Sequence, residues 1–125
     1  MIDLQPQMLF GVSNFDRQNV INMNLVLGKA ARIFDVPVVL STVETKSFSG
    51  NIWPQVQAVF PDQVPIERTT MNSWDCKNFV AAVEKTGRKK IVLPGFGRKP
   101  VLPLPRYRQC MMAMKFMSLR IAVVT

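Results

Sequence analysis

The chain has 125 residues, enough for one domain with a buried core and too few for two, and it carries 16 Lys and Arg against 8 Asp and Glu, a net charge of +8. It contains no histidine and two cysteines, Cys76 and Cys110, which excludes Ser-His and Cys-His nucleophile pairs, a disulfide framework and the usual zinc sites. No apolar run approaches membrane-spanning length and no secretion signal is recognisable at the start, so a cytoplasmic setting without metal is expected, and any catalysis has to use carboxylate, cation and thiol.

In chain order, Met1–Leu4 is a strand stub that ends in Asp3. Asp16 precedes a segment from Arg17 to Phe34 in which Val20, Ile21, Leu25, Val26, Ala30 and Ile33 recur at helical steps, as a helix packed on one face requires. Pro37–Leu40 is continuous and rich in valine, bounded by Asp35 and the polar Ser41 and Thr42, which suits a parallel strand buried on both faces. A polar loop from Glu44 to Gly50 leads to a short helix from Trp53 to Phe60, with Pro54 in its first turn. Val64–Ile66 is a poor strand because of Pro65. Asp75 is placed to cap a helix through Phe79, Val80, Ala82 and Val83 that ends near Gly87, and Lys90–Leu93 opens another buried strand. Alternating strands and helices imply right-handed crossovers and an α/β fold with a parallel sheet covered by helices on both faces.

The character of the chain changes at Leu93/Pro94. All eight acids lie before Pro94, with ten bases, so residues 1–93 have a net charge of only +2. The last 32 residues hold six bases, no acid, four of the eight Met and four of the nine Pro. Pro100, Pro103 and Pro105 block regular structure up to Arg106, while Tyr107–Val124 is compatible with a helix and Ile121–Val124 with an added strand.

In an open parallel sheet the site lies at the carboxyl ends of the strands. That rule selects Asp3 after the first strand, Glu44 and Thr45 after the second, and Arg68 after the third, with the loop from Arg68 to Trp74 reaching over the same edge. A carboxylate and a guanidinium meeting a thiol there would make a nucleophilic site. A plain structural salt bridge between Asp3 and Arg68 fits the spacing equally well. Phe48 and Trp74 are candidates to line a small apolar pocket, or simply to pack the loops. Glu44 suits a loop hydrogen bond, Trp53 an anchor for its helix or a subunit contact, and Arg88–Lys90 a solvated turn.

The strings IDLQPQMLF at 2–10, TVETKSFSG at 42–50, FPDQ at 60–63, IERTTMNSW at 66–74 and FVAAVEKTGRKKIVL at 79–93 resemble the isochorismatase-like cysteine hydrolases, in the branch whose catalytic trio has arginine as its basic member. The resemblance implies a three-layer Rossmann-like sheet, truncated here after the fourth strand. It also implies an Asp-Arg-Cys trio that hydrolyses small amides or related C–N substrates through a thioester, with no cofactor, in a cytoplasmic homo-oligomer. Asp3 matches the general base and Arg68 the basic residue. Phe48, Asn72 and Trp74 fall where substrate is bound.

The nucleophile belongs in a helix-opening stretch of the kind GLWTExC, a few residues after Leu93. Here the chain reads PGFGRKP from Pro94 to Pro100. Shifting the reading frame one nucleotide upstream permits Trp across Phe96/Gly97, Thr across Gly97/Arg98, Glu across Arg98/Lys99 and Cys across Pro100/Val101. It forces Asp across Met111/Met112, Gly across Met112/Ala113 and Glu across Met114/Lys115. A one-base deletion near Leu93/Pro94 therefore accounts for the tail.

Residues 1–93 are accordingly expected to be the N-terminal part of an isochorismatase-like hydrolase domain, and 94–125 an out-of-frame tail, irregular or opportunistically packed. The nucleophilic cysteine is then absent; Cys110 is a coincidence of frame and Cys76 a structural thiol. The first strand is expected to be clipped at its start. Two other functions are a pseudoenzyme or partner-binding module that keeps the Asp3 and Arg68 pocket, and a nucleic-acid binder acting through the basic tail. The frame reading leaves nucleic acid and membrane without a role and a small molecule as the partner of the intact protein.

Overall fold

The computed structural model describes residues 1–11 and 16–94, and the backbone of 115–117. Its elements are α1 (Pro6–Phe10), α2 (Arg17–Ile33), β1 (Ser41–Val43), α3 (Pro54–Val59), β2 (Ile66–Arg68), a 3-10 turn (Ser73–Asp75), α4 (Lys77–Lys85), β3 (Lys90–Val92) and β4 (Lys115–Met117). The fold is α/β, and both described ladders are parallel, β1 with β2 and β3 with β4.

The second strand forms later than the hydrophobic run suggests. Ladder residues are Ser41, Thr42 and Val43, paired with Ile66, Glu67 and Arg68. All three are buried, and their polar groups find partners, so Ser41 and Thr42 do not bound the strand as expected. Ile2 bridges to Ser41 in parallel, with Asp3 N–H donating to Ser41 O and Ser41 N–H to Met1 O, both at 3.0 Å. On the other edge, Ile66 N–H donates to Leu40 O at 2.9 Å. β1 is thus flanked by the Met1–Asp3 segment on one side and β2 on the other. β2 begins just past Pro65, where the missing N–H no longer interrupts the ladder.

α2 starts where the sequence places it. Asp16 accepts from Gln18 N–H at 3.1 Å and Asn19 N–H at 3.3 Å, satisfying two of the amides that a helix start leaves unpaired. Asp16→Ala is expected to cost about 1 kcal/mol in urea unfolding. The inner face of α2 is Val20, Ile21, Asn24, Leu25 and Gly28, whereas Val26 and Ile33 are exposed. Val26 stands about 100° around the helix from Leu25, and the apolar spacing alone does not separate the two. Gly28 admits a close approach: a Cβ there would meet Phe60 Cε2 at 3.3 Å and Met1 Cε at 3.5 Å. Leu4, Leu40, Ile52, Trp53, Val56, Val59 and Phe60 form the main core, with Val20, Ile21 and Leu25 packed on it. Trp53 is 4% exposed, the helix anchor of the sequence reading, and Arg32 Nη1 donates to Val59 O at 2.6 Å to cover the end of α3.

The capping role expected of Asp75 falls elsewhere. Asp75 ends the 3-10 turn, Cys76 is the N-cap of α4 without a side-chain cap bond, and Asn72 caps the turn by accepting from Trp74 N–H at 3.2 Å. Lys115–Met117 is extended and joined to β3, so a helix from Tyr107 to Val124 is broken there. Ile121–Val124 and the rest of the tail lie outside the described residues.

Candidate functional site

Asp3 and Arg68 meet at the carboxyl ends of their strands. Their approach follows from register: Ile2 and Ile66 both pair with Ser41, and Arg68 lies two residues past Ile66 on the same face. Asp3 leaves the strand with φ 55°, a left-handed turn of the kind Asp tolerates better than most residues. Arg68 Nη2 donates to both carboxylate oxygens of Asp3, with side-chain exposures of 1% for Arg68 and 21% for Asp3. Arg68 Nε donates to Ser41 Oγ at 3.1 Å, and Nη1 donates to the carbonyls of Thr70 and of Met71, the latter at 2.8 Å. Burial pushes the Asp3 carboxyl above its ordinary value, against the opposing pull of the Arg68 guanidinium. A carboxylate with a raised pKa beside a fixed cation has the properties of a general base.

The loop residues divide. Glu44 has φ 48°, and its main-chain N–H donates to Arg68 O at 3.0 Å, which extends the β1–β2 ladder by one bond. Thr45 N–H donates to Glu67 Oε1 at 2.8 Å, and Thr42 Oγ1 donates to Oε2 at 2.8 Å. Desolvation raises the Glu67 carboxyl, but these bonds and the nearby Lys46 outweigh it and hold the group below its ordinary 4.5. A depressed carboxylate stabilises the fold above its unfolded pKa and loses that contribution as pH falls through the folded value. The stability gap between the unaltered chain and Glu67→Gln should therefore be steady near neutrality and narrow on acidification below 4.5, measured by thermal melts at a series of pH values.

Asn72 is buried, and its side chain is engaged by Trp74 N–H. Trp74 is half-buried and packs edge-on against Phe79, with ring centroids 5.5 Å apart at 79°. Phe48 is 59% exposed on its loop. Cys76 is a free, half-buried thiol, and among the described residues it makes no hydrogen bond to Asp3 or Arg68. Cys110 lies outside those residues. An open groove of about 310 Å³ between Val38–Leu40, Val64, Ile66 and Ala82 lies toward the amino end of β2 and includes neither member of the ion pair.

Gln5 is the residue that sequence reasoning missed. Fully buried, it donates through Nε2 to Val43 O at 2.9 Å and Gly50 O at 2.5 Å, and accepts from Val43 N–H at 2.9 Å. Its position between the strand stub and Pro6 was the available signal, because a chain entering a helix there has to turn inside the core.

Known proteins share this fold. The Isochorismatase domain family matches residues 1–97. The Escherichia coli K12 protein named Probable hydrolase YcaC is 33% identical over 96 residues, 76% of this chain and 46% of that protein. The crystal structure of E. coli YcaC, described as an octameric hydrolase of unknown specificity, superposes with a TM-score of 0.69 at 34% identity, over 73% of this chain and 45% of that one. YcaC from Pseudomonas aeruginosa, solved with hexane-2,5-diol and covalent acrylamide, gives 0.69 at 33% identity, over 73% and 46%. The chain spans about half the length of these relatives. It belongs to the isochorismatase family.

Proposed function

We propose that residues 1–93 are the front half of a cysteine hydrolase acting on small amides or related C–N substrates, with Asp3 as general base and Arg68 as the cation of its trio. The observation that carries this reading is the buried ion pair at the carboxyl ends of the strands. In the intact protein Asp3 takes the thiol proton and the thiolate adds to the amide carbonyl. The amine leaves with a proton returned by Asp3, and water then cleaves the thioester. Phe48, Asn72 and Trp74 border the substrate, and the whole protein works as a homo-oligomer, as its octameric relative does.

The polypeptide as given lacks the nucleophile, because residues 94–125 are out of frame and no cysteine lies between Leu93 and Cys110. Resequencing the source gene tests this directly, and an intact frame encoding the same tail overturns it. Alkylation by acrylamide, followed by intact mass, tests the chemistry. The chain as given should label slowly at its two thiols and hydrolyse no amide above background, whereas the frame-restored protein should gain one adduct about 100-fold faster. Turnover by the present chain that Cys76→Ala abolishes contradicts the proposal.

A further inference from the structure

Arginine carries five N–H groups in a rigid planar fork, whereas lysine carries three on a rotatable head. At Arg68 the three nitrogens donate to five acceptor atoms: Nε to Ser41 Oγ, Nη1 to the carbonyls of Thr70 and Met71, and Nη2 to the two carboxylate oxygens of Asp3. We propose that Ser41 is a positioning residue of this site: its hydroxyl and the two carbonyls form an arginine-specific cradle that fixes the guanidinium plane and so aims Nη2 at Asp3. This deepens the reading of Asp3 and Arg68 as base and cation, and rests on it.

Ser41 is fully buried on β1, between the strand stub that carries Asp3 and β2 that carries Arg68. Its Oγ receives the one N–H that points back along the arginine stem. A lysine at this position has no donor there, and three N–H groups cannot serve Ser41, two carbonyls and a carboxylate together. The cradle also satisfies a cation that is almost wholly out of water, where an unpaired donor is expensive. With its three nitrogens all bonded within the protein, Arg68 acts through Asp3.

Nitrogen-resolved NMR of arginine side chains and a carbon-13 titration of the Asp3 carboxyl, both on the full chain, test the cradle. The unaltered chain should show for Arg68 a slowly exchanging Nε–H and four separate Nη–H resonances. Ser41→Ala should speed Nε–H exchange about tenfold or more and move the Asp3 titration midpoint, while Ser41→Thr, which keeps the hydroxyl, restores both. Arg68→Lys should also move the midpoint although it keeps the charge. Averaged Nη–H resonances in the unaltered chain, unchanged Nε–H exchange in Ser41→Ala, or a wild-type midpoint in Arg68→Lys each overturns the proposal. If Ser41→Ala fails to fold, the resonances of the unaltered chain and Arg68→Lys decide. None of these readouts involves a thiol, so intact cradle signals without accelerated alkylation of the frame-restored protein would sink the hydrolase reading alone.

Discussion

Replacing Arg68 by methionine should lower the free energy of unfolding by about 3 kcal/mol, near the bottom of the range for removing one partner from a buried ion pair. The lower end applies because the Asp3 side chain is 21% exposed and keeps some hydration. Methionine fills much of the same volume, so the loss reports the orphaned groups rather than a cavity. Those groups are the Asp3 carboxylate, Ser41 Oγ and the carbonyls of Thr70 and Met71. The sign with pH follows. Burial already raises the Asp3 carboxyl, and without the guanidinium that upward push is opposed only by the charge of the Met1 amino group, so the variant's folded state holds the proton to a higher pH. A group with a raised folded pKa contributes stability at low pH and loses it as pH rises through the folded value. The deficit of Arg68→Met should accordingly shrink on acidification, when protonation removes the unpaired charge. Urea unfolding followed by tryptophan fluorescence at several pH values measures it. A deficit independent of pH would mean that the carboxylate finds another partner.

The ion pair was legible because two independent regularities coincide. Strand ends are marked by the shift from apolar to polar residues, and functional groups of parallel sheets collect at those ends; Asp3 and Arg68 satisfy both. α2 was legible from Asp16 and a long helical period, which leave little ambiguity in 17 residues. Strand position was harder. The apolar run at Pro37–Leu40 implies burial, but the ladder falls on Ser41–Val43, because buried hydroxyls with partners occupy a strand as readily as methyl groups do. Thr42 bonds Glu67, and Ser41 receives Arg68. Neither pairing leaves a trace in hydropathy. α1, with Pro6 at its first position, is five residues long, too short for a period to show.

Gln5 illustrates the same blindness with the larger consequence. Gln5→Leu should cost about 2–4 kcal/mol, since leucine matches the volume and offers no hydrogen bond, while the buried N–H and C=O of Val43 each lose a partner. Gly50 O also loses one, but Gly50 is half-exposed and regains water. The side-chain amide does for Val43 what a further strand would do, offering one acceptor and one donor to a single residue's backbone. Val43 pairs in register with Arg68, and the next amide, Glu44 N–H, donates to Arg68 O. Loosening the strand end therefore loosens the cation as well. Gln5→Glu separates the two halves of the bond. It keeps an acceptor for Val43 N–H but sets a carboxylate against the carbonyls of Val43 and Gly50, which raises its folded pKa. By the same sign rule its stability is present at low pH and lost as pH rises. Acidification should restore part of the loss in Gln5→Glu and none in Gln5→Leu, with the Val43 amide exchanging fast in Gln5→Leu at every pH and slowing in Gln5→Glu only when the carboxyl is protonated. Equal exchange rates for that amide in all three proteins would remove Gln5 from any role in holding the site.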